Sequence, residues 1–421
     1  MNDWQKTTVG KVATGFLSGG TPATSRADFW KGEIPWITSK WLGEKLELTT
    51  GEKFVSEEAV KKTATKIVPK DSIIFATRVG VGKVGINRID LAINQDLSGV
   101  LIDNEHYDIK FLAYQLGIDS IQQYVAMNKR GATIKGITRD CLEQIRLNLP
   151  PLPEQRKIAH ILSTVQRAIE AQERIIQTTT ELKKTLMHKL FTEGLRNEPQ
   201  KQTEIGPVPE SWEVVELGTL FEKQPQNGIY KHKRDYGSGT QILRIDDFSN
   251  DGDVVTRAGN LVTLARSEIE TYGLEPGDIV INRVNSLSHL GKTALIGEIG
   301  DEMVFESNMM RFSVDESQVL KEYVFKFLNS PLTKKQIIGT AKRAVAQSSI
   351  NQGDVKSIIV PKPSLKEQEK IVKALDATEA KIAHATDKAA LLQDLFRTLL
   401  HELMTAKTRV QELEVGKGAV V

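Results

Sequence analysis

LPPLPEQRKIAHIL, residues 149–162, and KPSLKEQEKIVKAL, residues 362–375, are one phrase written twice, 213 positions apart. Seven of the fourteen aligned positions are identical, among them Pro150/Pro363, Glu154/Glu367, Gln155/Gln368, Ile158/Ile371 and Leu162/Leu375. Hydrophobic composition alone does not produce such a match. Followed outward at the same offset, TLMHKLFT (185–192) falls on TLLHELMT (398–405), so the stretch between the two landmarks has one length in both copies. Upstream, Lys129-Arg130 falls on Lys342-Arg343 and Ile137 on Ile350. With small gaps, Trp4 and Gly10 correspond to Trp212 and Gly218, IVPKDSIIFATR (67–78) to LEPGDIVINR (274–283), and Asn94 to Asn308. The chain is a tandem duplication whose period is too long for a solenoid.

The phrase opens two long helices. In the second copy Ile371, Leu375, Thr378, Ile382, Ala385, Ala389, Leu392, Phe396, Leu399 and Leu403 advance by alternating fours and threes, the heptad seam of a coiled coil. The first copy carries Ile158, Leu162, Val165, Ile169, Ile176, Leu186 and Leu190, interrupted by Gln172, Thr179 and Lys183. Pro153 suits a first helical turn, Ser364 with Glu367 has capping-box spacing, and Gly194 marks a stop. A helix from Glu154 to Glu193 is about 60 Å long at 1.5 Å per residue. A one-sided stripe of that length needs a partner. Its own copy, run antiparallel, lets equivalent surfaces meet. A heptad seam does not name its partner, so packing on the parent domain or in a homodimer satisfies the same pattern.

Around the helices lie short apolar runs bounded by Gly, Pro, Asn and Asp, such as DSIIFATR, KVGINRI and DLSGVLI, then GDIVINR, KTALIGEI and MRFSV. These read as strands. Each half adds a helical segment (111–127 or 323–339) and a last strand within CLEQIRLNLP or VKSIIVPKP. The predicted fold is α+β, with two similar mixed domains at opposite ends of an intramolecular antiparallel coiled coil, related by a pseudo-twofold axis. The expected boundaries are a first domain over 1–153, its helix over 154–195, a polar linker over 196–212, a second domain over 213–363, its helix over 364–415 and a tail over 416–421.

At 421 residues, 40% hydrophobic and 26% charged, the chain has the composition of an ordinary globular protein. No apolar stretch reaches the length of a membrane span and the first residues lack a signal-peptide core, which points to the cytoplasm. Cys141 is the single cysteine, so no internal disulfide forms; a buried, inert thiol is expected. The formal charge of +2 leaves any polyanion site to a local patch.

The motifs that resemble catalytic ones are incomplete. Gly80 to Gly85 satisfies G-x-G-x-x-G, but a strand-like segment follows where a dinucleotide site needs a helix, so a glycine-rich hairpin is expected. Gly291-Lys292-Thr293 resembles the end of a P-loop, with Ser286 in place of its first glycine. His401-Glu402 begins H-E-x-x-H, but Thr405 stands where the second histidine belongs. His188 and His401 are expected on helix surfaces. No G-x-S-x-G and no paired cysteine and histidine nucleophile appears.

Binding is better supported. MNKRGATIKGITR (127–139) holds Lys129, Arg130, Lys135 and Arg139 with no acidic residue, and the stretch 333–352 holds Lys334, Lys335, Lys342 and Arg343 likewise. Lys231, Lys233 and Arg234 cluster early in the second half; Arg78, Lys83 and Arg88 flank the first domain's glycine hairpin. Lys and Arg neutralise phosphates while Gln, Asn, Thr and Arg hydrogen-bond base edges, so such loops suit duplex DNA. A coiled-coil adaptor whose paired domains bind proteins is the rival of another class.

The segments GGTPATSRADFWKGEIPWI (19–37), IVPKDSIIFATRVGVGKVGI (67–86) and IGPVPESWEVVELG (205–218), with the doubled Pro-Glu-Gln phrase, resemble the specificity subunit of type I restriction–modification enzymes. The resemblance spans essentially the whole chain. It implies two target-recognition domains, each reading half of a split double-stranded DNA site, and helical spacers packed as an antiparallel coiled coil. It also implies a non-catalytic chain that binds no cofactor of its own. Its partners would be two modification (methyltransferase) subunits supplying S-adenosylmethionine and two restriction (endonuclease and translocase) subunits supplying ATP and Mg chemistry. The second domain departs from the pattern: QNGIYKHKRDYGSGTQILRI (226–245) stands where GGTP and PWI are expected.

Overall fold

The computed structural model describes residues 4–43, 45–131, 135–249, 251–252, 254, 260–343 and 347–410. The expected tail 416–421 lies outside them, as do residues 411–415 and the tips of both basic loops, 132–134 and 344–346. The chain forms two compact units, one of Met1–Gln172 with Asp387–Val421, the other Glu173–Thr386. No helix among the described residues is long and apolar enough to cross a membrane.

In the first unit a five-stranded sheet runs Ala13–Ser18, Leu97–Ile102, Ser72–Ala76, Val84–Asn87, Glu47–Leu48. A four-stranded sheet runs Lys53–Val55, Ile34–Ile37, Leu91–Ile93, Lys66–Val68. The second unit repeats the plan with a four-stranded sheet of Phe221–Asn227, Met309–Val314, Ile279–Asn282 and Thr293–Leu295. Beside it lies a three-stranded sheet of Leu261–Val262, Tyr236–Leu243 and Met303–Phe305. Both units have a parallel pair at the same place, Ile34–Ile37 with Leu91–Ile93 and Tyr236–Leu243 with Met303–Phe305, and the first unit adds Glu47–Leu48 parallel to Val84–Asn87.

The duplication is legible in the packing. Trp4 and Trp212 are both buried. Val9 donates its N–H to Ile145 O at 3.0 Å, and Leu217 to Ile358 O at 2.8 Å. A Cβ at Gly10 would stand 3.1 Å from Glu143 Cβ, and one at Gly218 3.1 Å from Lys356 Cβ, so both positions favour glycine for the same close approach. One pairing is corrected. Asn308 O accepts from Arg283 N and Val284 N, as Asp96 O accepts from Thr77 N and Arg78 N, so Asn308 corresponds to Asp96 rather than Asn94.

Each predicted single helix before the last strand is two. Ile109–Leu116 and Asp119–Met127 break at Gly117, while Lys321–Leu328 and Pro331–Thr340 break where Pro331 cannot continue a helix. The stretch read as a linker holds a hairpin, Gln200–Thr203 with Gly206–Pro209, whose Val208 is buried in the second unit's core. Cys141 is half-buried, its thiol 3.8 Å from the Tyr124 hydroxyl.

The long helices are Leu152–Thr192 and Leu365–Met404. The first stops where Gly194 takes φ 66°, the second where Ala406 takes φ 52°, short of the expected residue 415. Every named seam position is buried or half-buried, and His188 and His401 are exposed. Each unit holds the beginning of one helix and the end of the other. In the first unit Ile158 and Leu162 share a core with Leu399 and Leu403, and Phe396 meets Tyr114 edge-on at 5.8 Å. In the second, Leu190 and Phe191 share a core with Ile371 and Leu375, and Phe191 meets Tyr323 and Phe327 edge-on. Lys183, a polar interruption of the stripe, is answered across the helices by Glu379 at 3.1 Å. The pair is half-buried, and a polar contact at a seam position favours one register over others.

Candidate nucleic-acid interface

The site begins with the segment that follows an interior strand of each larger sheet, Ser72–Ala76 or Ile279–Asn282, because its backbone bonds hold the basic loops. In the first unit Thr77 and Arg78 follow the strand Ser72–Ala76, and Ile137 donates to Thr77 O at 2.9 Å. That bond seats the basic loop, which closes as a bridge: Arg130 N donates to Gly136 O at 2.7 Å and Gly136 N to Arg130 O at 2.9 Å. On the other side Thr77 and Arg78 donate to Asp96 O, within a turn whose Gln95 Oε1 accepts from Thr21 Oγ1 at 2.6 Å. One rim thus joins Thr21, the turn 94–96, Arg78 and the described loop residues 129–131 and 135–136.

The second unit builds the same rim. Ile350 donates to Arg283 O at 2.9 Å, and a three-stranded ribbon pairs Val284–Asn285 with Ser348–Ser349, and these with Lys342–Arg343. Arg283 and Val284 donate to Asn308 O, Arg283 Nη1 donates to Ser307 O at 3.1 Å, and Ser307 N donates to Ile229 O at 2.9 Å. Ile229 leads directly into Tyr230, His232, Lys233 and Arg234. Clusters separated by up to about a hundred positions in sequence therefore lie along one edge. The ladder pairs Gly136 with Arg130 but Ser349 with Lys342, so the second loop is one residue longer than a fixed offset of 213 implies.

Arg78, Lys129, Arg130, Lys135, Lys233, Arg234 and Lys342 are exposed on these rims, available to phosphates. Arg343 has its backbone in the ribbon. The remaining candidates are engaged within the fold. Lys83 Nζ donates to Leu42 O at 2.9 Å. Its counterpart Lys292 donates to Ile245 O at 2.6 Å and Phe248 O at 2.8 Å, and burial pulls its ammonium below the ordinary lysine range. The Gly-Lys pairs that resembled phosphate loops are therefore latches on the neighbouring loop, and Gly80–Gly85 belongs to the hairpin between paired strands Ser72–Ala76 and Val84–Asn87. Arg88 is held by Glu47 and Asp71. Lys231 is held by Glu268 at 2.8 Å. Lys334 donates to Ser288 O and Leu290 O, and burial lowers its pKa as well. Sequence reasoning passed over Arg283 and Tyr230; the first lay inside an apparent strand end, and the second is a lone aromatic without periodicity.

Two copies of one basic rim on one chain match the family described as type I restriction modification DNA specificity domain, over residues 1–180 and again over residues 209–393. The chain belongs to this family. Its role is that of a DNA-recognition specificity subunit. It is 24% identical over 425 residues to the type I restriction enzyme MjaVIII specificity subunit of Methanocaldococcus jannaschii, covering 98% of this chain and 94% of that one. It is 23% identical over 393 residues to the EcoKI specificity subunit of Escherichia coli, covering 88% and 82%. The fold is similar to the crystal structure of the type I restriction–modification S subunit from M. genitalium, with a TM-score of 0.59 at 17% identity over 96% of both chains. The specificity domains thus carry the two rims, one in each match.

Proposed function

We propose that each rim reads one half of a bipartite duplex site, and that the two long helices pair antiparallel as a coiled coil that sets the distance between the readers. The observation that carries this reading is the repetition of an exposed basic loop on the same backbone ladder, Ile137 to Thr77 and Ile350 to Arg283. The opposite run of the helices within each unit supports the antiparallel pairing, and their lengths of 41 and 40 residues support a matched pair. A site with two half-sites needs its readers at a fixed separation and rotational phase. Equal rods supply both.

In this reading the chain does no chemistry. The exposed basic residues, Arg78, Lys129, Arg130, Lys135, Lys233, Arg234 and Lys342, together with Arg343 of the same ribbon, position the duplex through phosphates, and polar groups on the rims meet base edges. Methylation and cleavage come from modification subunits carrying S-adenosylmethionine and restriction subunits using ATP and Mg. A structural neighbour at 16% identity and a TM-score of 0.57 comes from work on complex assembly and conformational transition of the type I R-M system. The test is a salt titration of duplex binding by the chain assembled with its modification subunit. Preference for one mapped sequence over random duplex, with affinity falling steeply as salt rises, is the expected result. Salt-insensitive binding without sequence preference favours a protein-binding adaptor.

A further inference from the structure

Tyr230 is 71% exposed, the most exposed aromatic side chain among the described residues with a large apolar surface, and it stands on a pinned loop. On one side Ile229 is buried, its N–H donating to Phe305 O and its carbonyl accepting from Ser307 N, both at 2.9 Å. On the other, Lys231 is tied to Glu268, and His232 and Asp235 exchange hydrogen bonds that close a short turn. The ring meets His232 edge-on at 5.6 Å and 78°. A large ring held in water by a fixed backbone is not a frayed side chain. It is preorganised, and preorganised aromatic surface is what a contact needs.

The first domain holds the equivalent position. Gly19 and Gly228 correspond, because a Cβ on either would strike the equivalent carbonyls, Ile93 O and Asn94 O or Phe305 O and Glu306 O. Gly20 donates to Ile93 O as Ile229 donates to Phe305 O. The next residue is Thr21 in one copy and Tyr230 in the other. Thr21 is bonded to Gln95, a polar pair that can donate and accept at base edges. Tyr230 offers a π-face beside exposed Lys233 and Arg234, the latter's side chain 83% exposed.

We propose that Tyr230 is a specificity-determining residue of the second domain, its ring packing against or between bases of the half-site that this domain reads. The proposal rests on the DNA-reading role of the rims. Charge complementarity selects the occupant: the flanking cations attract a polyanion, and every base has a face on which an aromatic ring stacks. Rings inserted at a base step unstack it, so the half-site should contain a step that opens easily.

The test uses the full chain assembled with its modification subunit, on a duplex whose sequence is taken from the host's methylated sites. Tyr230→Ala should weaken binding to that duplex roughly 10- to 100-fold, as loss of one stacked base does, while leaving random-duplex binding and the salt slope unchanged. Tyr230→Phe should bind as the parent does. 2-Aminopurine placed at successive positions of the second half-site should brighten at one position in the parent and in Tyr230→Phe, and not in Tyr230→Ala. Equal binding by Tyr230→Ala and the parent overturns the assignment, as does equal weakening on specific and random duplex. Loss of modification-subunit assembly in Tyr230→Ala makes the ring a protein contact and overturns it too. If the parent itself fails to prefer the mapped duplex, the reading of the rims falls and takes this proposal with it.

Discussion

Gln155 Oε1 accepts a hydrogen bond from the backbone N–H of Asp108 at 3.0 Å, while its Nε2 donates to Pro150 O at 2.8 Å. Gln368 makes the same two bonds, to Leu320 N at 2.8 Å and Pro363 O at 2.9 Å. Both amides are buried. The repeated phrase is therefore a joint. The glutamine ties the first turn of each long helix to the start of the domain helix Ile109–Leu116 or Lys321–Leu328, and the neighbouring glutamate faces the end of the other long helix. Glu154 pairs with Arg409 at 3.1 Å, and Glu367 accepts from Leu195 N at 3.4 Å.

Gln155→Leu or Gln368→Leu leaves a backbone N–H and a carbonyl without their partner. Each should lower unfolding stability by about 1–3 kcal/mol, the cost of unsatisfied groups away from water. Urea denaturation followed by circular dichroism measures it, and an unchanged midpoint shows that the joint is ornamental.

The lysines separate into latches engaged within the fold and exposed residues on the rims. Lys292→Met strips the donor from Ile245 O and Phe248 O and should reduce stability by about 1–3 kcal/mol without altering the salt dependence of duplex binding. Lys83→Met should do the same more mildly, since it holds one carbonyl.

Replacing Lys129 and Arg130 together by Ala, or Lys342 and Arg343, should leave the fold intact and flatten the slope of log affinity against log salt by about one unit per lost phosphate contact. Fluorescence anisotropy between low and moderate salt gives the slope. An unaltered slope would return these residues to plain surface.

Arg88 is ion-paired within the fold, and pH probes that pairing. Burial tends to raise the pKa of Glu47, but hydrogen bonds from Lys110 and Arg88 outweigh this and hold it below the ordinary value of 4.5. A depressed carboxylate adds stability that is complete above its unfolded pKa and fades as pH falls through the folded one. Arg88→Met should therefore cost about 0.5–1 kcal/mol at pH 7, since Glu47 is 41% exposed and water screens the pair. The gap to the parent should narrow below pH 4.5. Denaturation midpoints at pH 7 and at lower pH check the sign.

The helices and the duplication were legible because periodicity and repeated phrases survive without tertiary knowledge: every named residue of the Ile371–Leu403 stripe and of the Ile158–Leu190 stripe is buried or half-buried. The site was legible in pieces. The basic residues of both loops stood out by charge, but their assembly into one rim depends on backbone bonds such as Arg283 N to Asn308 O, which side-chain identity does not encode. For the same reason the engagement of Lys83 and Arg88 within the fold was not legible. Charge is visible in a sequence, whereas the carbonyl or carboxylate that engages it comes from a loop some forty positions away. The hairpin 200–209 was hidden because Pro207 and Pro209 argue for a linker, yet a two-stranded edge tolerates proline.

The central claim is that paired helices space two readers, and one measurement addresses it directly: methylation-site mapping in a host carrying either the parent or a variant with four residues inserted after Thr180 and four after Gln393. Four added residues are one turn plus about 40°, which leaves the apolar stripes nearly facing, and they shift a domain by roughly 6 Å against about 3.4 Å per base pair. The account expects a two-part site whose half-sites are unchanged and whose spacer lengthens by one or two base pairs. A continuous site, or a spacer that stays as it was in a folded and active variant, contradicts it.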